Sequence, residues 1–404
     1  MTDHRQAVAA APDLEYCPLM PTYNPPSVQF VRGEGAYLWD NNDKKYLDCL
    51  SGLAVTSLGH SHPEVAAAIA EQASRLQHVS NLYATEHNGA VATKLDKLIG
   101  DGTPAGGQVF FCNSGAEANE AAIKLARRFG GRGRHTVVAA FQSFHGRTLT
   151  TLAATGQPQK WETFQPLPEG FRHAVWNDLA DLEHQLDESV AAVLLEPVQG
   201  EGGVNPATVE YFQGVQALCE ERGILFMVDE IQTGLARTGR WFGFQHYGVE
   251  PDVVTMAKAL GNGMPIGACW AKRSVAASFQ PGDHATTYGG QPLATAAARR
   301  VLDVMMAMDA PTVAATAGAE LSAALEAIDG VASVRGTGLL LAAELESADA
   351  RVVAAEALSQ GLVVNGVTPS ALRLAPPLTI STEQIHQAAG ILSAVLGSTR
   401  INGA

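Results

Sequence analysis

Residues 108–129, QVFFCNSGAEANEAAIKLARRF, decide the fold. A short apolar run, QVFFC, is followed by a polar turn and then by a helical segment, AEANEAAIKLARRF. An apolar run of this length bounded by turn residues is typical of a buried β-strand. The stretch therefore predicts a strand, a turn and a helix in succession, which is the repeating unit of α/β proteins.

The same alternation of apolar runs and helical segments continues along the chain. Strands separated by helices form a mainly parallel sheet that is covered on both faces. The sequence therefore predicts a large α/β domain over residues 61–302. Its further apolar runs are TVVAA (136–140), AAVLLEP (191–197), ILFMVDE (224–230) and DVVTMA (252–257), with TVEYFQGVQALCEERG (208–223) as a helix between two of them.

The flanking regions have different patterns. In residues 34–52, EGAYLWDNNDKKYLDCLSG, apolar and polar residues alternate on both sides of DNNDKK, which indicates a β-hairpin. Beyond residue 303, alanine-rich helical segments bracket VRGTGLLLAAEL (334–345) and the strand-like residues 361–378. We predict a smaller α+β domain over residues 303–404, with residues 1–60 as an N-terminal segment that packs against it.

Composition excludes several classes of protein. Hydrophobic residues make up 46% of the chain and charged residues 17%, as in globular enzymes. The net charge of −14 argues against nucleic acid as a partner, and no run reaches the roughly 20 apolar residues that span a bilayer. The five cysteines are widely spaced, and MTDHRQAVAAAPDLEY lacks the apolar core of a signal peptide. We expect a cytoplasmic protein without a membrane partner, a disulfide framework or a metal site.

Two motifs follow predicted strands, where ligands bind in parallel sheets. Ser114 begins the helix after QVFFC, and Glu117 stands at capping-box spacing. The motif is either a capped helix alone or a phosphate site, in which the free amides of Gly115 and Ala116 face an anion. The carboxylates Asp229 and Glu230 end another strand, and they either cap a helix or hold a protonated ring nitrogen of a cofactor.

A third motif, VTMAKALGNGMPIG (254–267), places one lysine, Lys258, among small and apolar residues. Such a lysine is either a snorkelling surface residue or an amine that loses its proton readily and attacks carbonyl groups. The glycines that follow do not have the dinucleotide-binding spacing. One ligand, pyridoxal phosphate, fits the three motifs at the three strand ends together. Its phosphate suits the start of the helix, its ring nitrogen suits the carboxylate and its aldehyde suits the lysine.

The sequence resembles the class III, pyridoxal-phosphate-dependent aminotransferases of fold type I, and among them it is most similar to the acetylornithine aminotransferases. The resemblance extends from about residue 23 to residue 378. It rests on the following motifs in this order: FFCNSGAEANEAAIKLAR, FHGRT, LEPVQGEGGV, VDEIQTGLARTGR, AKALGNGMPIG, TTYGGQPLA and LRLAPPL.

The resemblance implies roles for the cofactor site. Lys258 bonds to the aldehyde carbon of the cofactor and later shuttles a proton, Asp229 pairs with the pyridinium nitrogen, and Gln232 contacts the ring hydroxyl. Phe144 stacks on the ring, beside His145. Ser114, Gly115 and Ala116 bind the phosphate, together with Thr287 from the other subunit of a homodimer.

The resemblance also implies a site for two substrates, acetylornithine as amino donor and 2-oxoglutarate as acceptor. Arg147 holds the α-carboxylate of acetylornithine, far from the reacting amine. Arg373 holds the α-carboxylate of glutamate, and Glu201 masks it when acetylornithine is bound. Tyr23 and Asn81 lie at the mouth of the pocket.

Alternatives remain open at this point. The same chemistry could act on ornithine, succinylornithine, succinyldiaminopimelate or 4-aminobutyrate, although Leu53 stands where ornithine δ-aminotransferases carry a tyrosine. A decarboxylase or racemase of this fold would not need Glu201 and Arg373, and a non-catalytic binding protein would not need Lys258. The chain departs from the family pattern at Ala285, Gln291 and Asn262, the last within GNGMP.

Overall fold

The structure is a computed structural model that describes residues 19–402, with side chains described up to residue 398. Cys17 and the stretch MTDHRQAVAAAPDLEY lie outside the described residues. The strands are β1 Phe30–Glu34, β2 Tyr37–Asp40, β3 Lys45–Asp48, β4 Gly107–Cys112, β5 Thr136–Ala140, β6 Phe171–Ala174, β7 Val190–Leu195, β8 Val198–Gln199, β9 Asn205–Pro206, β10 Leu225–Asp229, β11 Val253–Met256, β12 Gly267–Lys272, β13 Val331–Thr337, β14 Leu340–Leu345, β15 Leu362–Val363, β16 Asn365–Gly366 and β17 Ala371–Leu374.

The helices begin with a single turn, α1. They are α1 Ser51–Ala54, α2 Pro63–Arg75, α3 Asn88–Ile99, α4 Gly115–Gly130, α5 Leu149–Ala154, α6 Leu179–Gln185, α7 Val209–Arg222, α8 Arg273–Ala276, α9 Pro292–Ala307, α10 Ala310–Glu326, α11 Ala350–Ser359 and α12 Thr382–Asn402, with short 3₁₀ helices at Pro158–Lys160, Glu162–Phe164, Gly243–His246 and Lys258–Leu260. Within the described part of the chain, none of these helices is long and apolar enough to cross a membrane.

A seven-stranded sheet in the order β4-β12-β11-β10-β7-β5-β6 forms the centre of the molecule. Strands β11, β10, β7, β5 and β6 are parallel, and β12 runs antiparallel to both of its neighbours. Every residue of β7, β10 and β11 is buried, because helices cover both faces of the sheet. The predicted mainly parallel α/β sheet is confirmed.

The sheet topology determines where a ligand can bind. Because β12 is antiparallel to both β4 and β11, these two strands run in the same direction as β10. The carboxyl ends of β4, β10 and β11 therefore meet at one edge of the sheet, and the three predicted motifs leave from that edge. Ligands of parallel α/β sheets bind at this edge.

Two smaller sheets flank the central one. The predicted hairpin is confirmed as β2 and β3, which pair antiparallel on either side of residues 41–44. Strand β3 also pairs with β15, so the N-terminal hairpin shares a sheet with the C-terminal part of the chain. The second sheet, β13-β14-β17-β16, is antiparallel. The domain boundaries at residues 60 and 302 stay predictions.

Candidate active site

A cavity of about 410 Å³ lies at the carboxyl edge of the central sheet. The loops that follow β4, β5, β7, β10 and β11 all contribute to its wall. Most of the site residues predicted from sequence therefore come together in one place. The wall consists of residues 55, 113–116, 144–147, 196, 198, 201, 229, 231–233, 257–258 and 263–266.

The N-terminus of α4 opens into this cavity. The Ser114 hydroxyl accepts a hydrogen bond from the Glu117 amide at 3.2 Å, which confirms the predicted N-cap. The Glu117 carboxylate accepts from the Asn113 amide at 2.6 Å, one residue earlier than in a capping box. A Cβ added to Gly115 would lie 2.7 Å from Ile231 Cδ1, so this turn is closely packed. The amides of Gly115 and Ala116 in the first turn have no acceptor within the helix and are available to an anion.

Asp229 ends β10 with only 3% of its surface exposed. Its Oδ2 accepts a hydrogen bond from Asn119 Nδ2 at 2.8 Å and lies 2.8 Å from His145 Nδ1, which donates because a carboxylate only accepts. Its Oδ1 accepts from the Ile231 amide at 3.1 Å. The Thr255 hydroxyl in turn donates to Asn119 Oδ1 at 2.7 Å. This network fixes the orientation of a carboxylate that lines the cavity.

The next residue, Glu230, has a different role. Its carboxylate accepts hydrogen bonds from the Thr233 hydroxyl and from the amides of Gly243 and Phe244 at 2.5–2.9 Å. It thereby caps the 3₁₀ helix Gly243–His246, and burial raises its pKa to about 7. The capping interpretation therefore applies to Glu230, and the ring-nitrogen interpretation stays a prediction for Asp229.

Lys258 begins a 3₁₀ helix directly after β11, and its side chain lines the cavity. Its φ of 41° is left-handed, a strained conformation for a side chain of this size and one that clusters at functional sites. Burial lowers the pKa of its amine to about 8, against the opposing charge of Glu201. An appreciable fraction of this amine is therefore neutral and nucleophilic near neutral pH.

The loop after β5 supplies Phe144 and His145. The Phe144 amide donates to Glu196 Oε2 at 3.1 Å, and the His145 amide donates to the Thr155 hydroxyl at 2.9 Å. Burial, followed by the charge of Asp229, raises the pKa of Glu196 well above its usual value.

Sequence reasoning missed Asn119, Thr255 and Glu196. Asn119 is fully buried and lies in phase with the buried Ala122 and Ala126 on α4. A polar residue on an otherwise apolar helix face is a readable signal. Glu196 follows the buried strand β7 just as Glu230 follows β10, so the argument used for the latter would also have found it.

Arg373, on β17, is 2% exposed and approaches the site from the second small sheet. Its Nη1 donates to Glu201 Oε1 at 2.6 Å and to the Gly200 carbonyl at 3.1 Å, and its Nη2 donates to Asn365 Oδ1 at 2.9 Å. Gln232 Oε1 is 3.4 Å from the same Nη1. Burial opposes ionisation of Glu201, but Arg373 prevails and lowers its pKa. The expected pairing of Glu201 with Arg373 is therefore present.

Of the remaining predicted residues, Arg147 lines the cavity and the other three do not. Arg147 lines the cavity as an exposed side chain, with its guanidinium carbon 5.6 Å from the centroid of the Phe144 ring. Tyr23 is 89% exposed and, like Thr287, does not line the cavity of its own chain. Asn81 donates to the Gly289 carbonyl at 2.9 Å and borders a separate cavity. The roles expected for Tyr23, Asn81 and Thr287 stay predictions.

The turn α1 directly precedes Val55, a residue of the cavity wall. Residues 51–54 all have positive φ, between 52° and 69°, and form one turn of left-handed helix with hydrogen bonds from the amides of Ala54 and Val55 back to Leu50 and Ser51. Left-handed helix costs L-residues about 1–2 kcal/mol each. Asp48 stabilises the turn by accepting hydrogen bonds from the amides of Leu50 and Ser51. The turn directs Val55 to the cavity wall.

These groups fit pyridoxal phosphate. The free amides at the start of α4 suit a phosphate. The buried amine of Lys258, with its lowered pKa, suits an aldehyde. Among the described residues, Asp229 forms no ion pair with a lysine or an arginine. A protonated ring nitrogen would compensate this buried carboxylate. Within residues 19–398, no group of three or more His, Cys, Asp or Glu side chains is arranged to hold a metal ion.

Comparison with known proteins agrees with this site. The family model for class III aminotransferases matches residues 20–396. The chain belongs to the class III aminotransferases.

Among its relatives are proteins named acetylornithine aminotransferase. The one from Gloeobacter violaceus is 47% identical over 386 residues, covering 93% of this chain and 95% of the relative. The one from Corynebacterium efficiens is 46% identical over 384 residues, covering 94% of each. Among solved structures, the ornithine aminotransferase of Toxoplasma gondii superimposes with a TM-score of 0.89 at 32% identity, covering 95% of this chain and 93% of the other.

Proposed function

We propose that this chain uses pyridoxal phosphate to transfer the δ-amino group of N2-acetylornithine to 2-oxoglutarate, as in arginine biosynthesis. The products are N-acetylglutamate 5-semialdehyde and glutamate. The observation that carries the proposal is the Glu201–Arg373 pair at the cavity that Lys258 and Asp229 line. An arginine that is buried and masked by a partly exposed glutamate suits an enzyme whose two amino donors differ in where their carboxylate lies.

The chain's own residues then have distinct tasks. The amides of Gly115 and Ala116 hold the phosphate, Asp229 keeps the ring nitrogen protonated, and Gln232 orients the ring through its oxygen substituent. When bound, the cofactor supplies an electron sink for the bonds at the reacting carbon. Lys258 would provide the amine that holds the cofactor through its aldehyde carbon, with release of water, and it would also move a proton at the reacting carbon of the substrate.

The residues that contact the substrate explain how two different amino donors can react in one cavity. Arg147 holds the carboxylate that is distant from the reacting amine, which is the α-carboxylate of acetylornithine or the γ-carboxylate of glutamate. Glu201 covers Arg373 while acetylornithine reacts and releases it to the α-carboxylate of glutamate. Leu53 is 40% exposed and lies two residues before Val55 of the cavity wall, and it offers an apolar contact to an acylated donor. The names of the relatives support the same substrate.

We also propose a cytoplasmic homodimer. Thr287 is exposed and does not line its own cavity, as expected of a residue that completes the phosphate site of a partner subunit. The four cysteines among the described residues are free and buried, as is common in a reducing compartment. Sedimentation of the purified protein tests the dimer, and mixing Thr287→Ala with Lys258→Ala subunits tests whether sites are shared.

A spectral titration tests the reaction. Protein reconstituted with pyridoxal phosphate is titrated separately with N2-acetylornithine, ornithine and 4-aminobutyrate, without a keto acid. We expect the visible band of the lysine-bound cofactor to disappear at the lowest concentration with N2-acetylornithine and to return on addition of 2-oxoglutarate. Loss of the band at a lower concentration of another amine would replace the substrate but not the class of enzyme.

A further inference from the structure

Lys160 is a second cation beside Phe144, a residue of the cavity wall. Its Nζ lies 4.9 Å from the centroid of the Phe144 ring, the same ring that Arg147 approaches at 5.6 Å. Among the described residues, neither cation has a carboxylate oxygen within 4.0 Å. The charged side chains of Glu201 and Arg373 are occupied with each other. Two unpaired cations therefore lie against one ring of the cavity wall.

The backbone holds Lys160 in this position. Lys160 ends the 3₁₀ helix Pro158–Lys160, where its amide donates to the Gln157 carbonyl at 2.9 Å. The Gln157 side chain donates to the Ser143 carbonyl at 3.0 Å, and the Gly156 amide donates to the Ser143 hydroxyl at 3.0 Å. Since Ser143 directly precedes Phe144, the loop with Lys160 is tied to the loop that carries Phe144 and Arg147.

The electrostatic surroundings of Lys160 are short of negative charge. Burial lowers the pKa of its half-buried amine, and the charge of Arg147 lowers it further, against the opposing effect of Glu201. A partly desolvated cation without a partner is unfavourable in the free protein. A ligand carboxylate that contacts both cations would compensate their charges. Charge-assisted hydrogen bonds of this kind are among the strongest.

We infer that Lys160 and Arg147 form a distal cation pair, which together binds the substrate carboxylate farthest from the reacting amine. This inference rests on the proposed function, and it adds Lys160 as a residue that determines specificity. It also gives a physical reason for the preference for an acylated donor. The free α-ammonium of ornithine would lie beside two cations, whereas acetylation removes its charge.

The test compares Lys160→Met and Lys160→Arg with the wild type and with Lys97→Met, a lysine exposed on α3. In Lys160→Met we expect the KM for 2-oxoglutarate and for N2-acetylornithine to rise about tenfold, as for loss of one charged hydrogen bond, with kcat changed less than about twofold. Lys160→Arg should restore most of the loss, and Lys97→Met should resemble the wild type.

A matched pair of donors separates carboxylate binding from support of the Phe144 ring. 5-Aminopentanoate carries a distal carboxylate and pentylamine does not. In Lys160→Met the dissociation constant of the first, measured from the cofactor spectrum, should rise about tenfold while that of the second stays unchanged. An equal rise for both amines, or a KM for 2-oxoglutarate within twofold of wild type, would overturn the inference.

The 2-oxoglutarate and 5-aminopentanoate measurements do not need N2-acetylornithine as a substrate. If N2-acetylornithine proves not to be the donor, these measurements still show whether the distal cation pair binds the distal carboxylate. If Lys160→Met does not fold, Lys160→Gln gives the same comparison, because it also removes the charge while keeping a polar side chain.

Discussion

Asp229 and Glu201 are both carboxylates at the cavity, but they are held in opposite ways. Asp229 is 3% exposed and accepts hydrogen bonds from Asn119, His145 and Ile231. The Glu201 side chain is 26% exposed, and among the described residues it forms an ion pair with Arg373 alone, through a single oxygen. Reorienting Asp229 would break three hydrogen bonds in a buried site, whereas Glu201 can leave its partner and remain hydrated.

This difference separates a fixed cofactor end from an adjustable substrate end. Hydrogen bonds in a buried polar network strengthen one another, so the three around Asp229 are costly to disturb. A partly exposed ion pair contributes less, so that a competing carboxylate can displace it. A transaminase that accepts two donors in turn needs both properties in one cavity. Substitutions at the cofactor end should therefore lower the rate, whereas substitutions at the substrate end should change the selectivity between donors.

The largest effect is expected at the fixed end, for Lys258→Ala. This change removes the nucleophile and the group that moves the proton, so kcat should fall by at least about 10⁴-fold. Absorbance should show that pyridoxal phosphate still binds, since its other contacts remain. The control Lys97→Ala should keep wild-type activity. Near-normal turnover in Lys258→Ala would contradict the assignment of the whole site.

The neighbouring carboxylates Asp229 and Glu230 should separate rate from stability. Asp229→Asn keeps the shape of the side chain but removes its charge, and kcat should fall about 10²–10³-fold, as for loss of a preorganised electrostatic contact. Glu230→Gln should instead lower the free energy of unfolding by about 1–3 kcal/mol through its impaired cap of residues 243–246, with kcat little changed. Steady-state kinetics and denaturant unfolding on both variants check this, and a reversed pattern would refute the division.

At the adjustable end, Glu201→Gln should alter selectivity. Arg373 is then left with a weaker, neutral partner, so the kcat/KM for N2-acetylornithine should fall about tenfold. Glutamate binds its α-carboxylate to Arg373 and should react at least as well as before. The ratio of the two kcat/KM values is the measurement. An equal loss for both donors would mean that Glu201 does not switch.

The same variant should shift a pH profile. With the pKa of Lys258 at about 8, uptake of pyridoxal phosphate by the apoprotein should speed up as pH rises and level off above about pH 8, because only the neutral amine reacts. Glu201 raises this pKa and Arg373 lowers it. Removing the charge of Glu201 and unmasking Arg373 should therefore both move the midpoint to lower pH. A midpoint near pH 10 in either protein would contradict the pKa of about 8.

The sequence predicts the central sheet and most of the cavity because their signals are local. A buried strand reads as a short apolar run, and Ser114, Asp229 and Lys258 each stand directly after one. The pairing of Arg373 with Glu201 needed the family resemblance, since 172 residues separate them along the chain. Lys160 could not be found from sequence, because its exposure, its missing partner and its place beside Phe144 exist only in three dimensions. The left-handed α1 turn is likewise invisible in the pattern of SGLA, where three of the four residues have side chains that disfavour it.

The smallest effect is expected at Asn262, one of the departures from the family pattern. Its φ of 46° is left-handed, and its side chain accepts from the Leu58 amide at 2.8 Å and donates to the Gly59 carbonyl at 3.1 Å. Asn262→Gly should cost about 1 kcal/mol in the free energy of unfolding through the lost hydrogen bonds. Asn262→Ala should cost about 1 kcal/mol more, because alanine also resists this φ. Denaturant unfolding of the wild type and the two variants measures this order of stability. An alanine variant as stable as wild type would show that neither the hydrogen bonds nor the backbone conformation of Asn262 holds the lysine loop against residues 58–59.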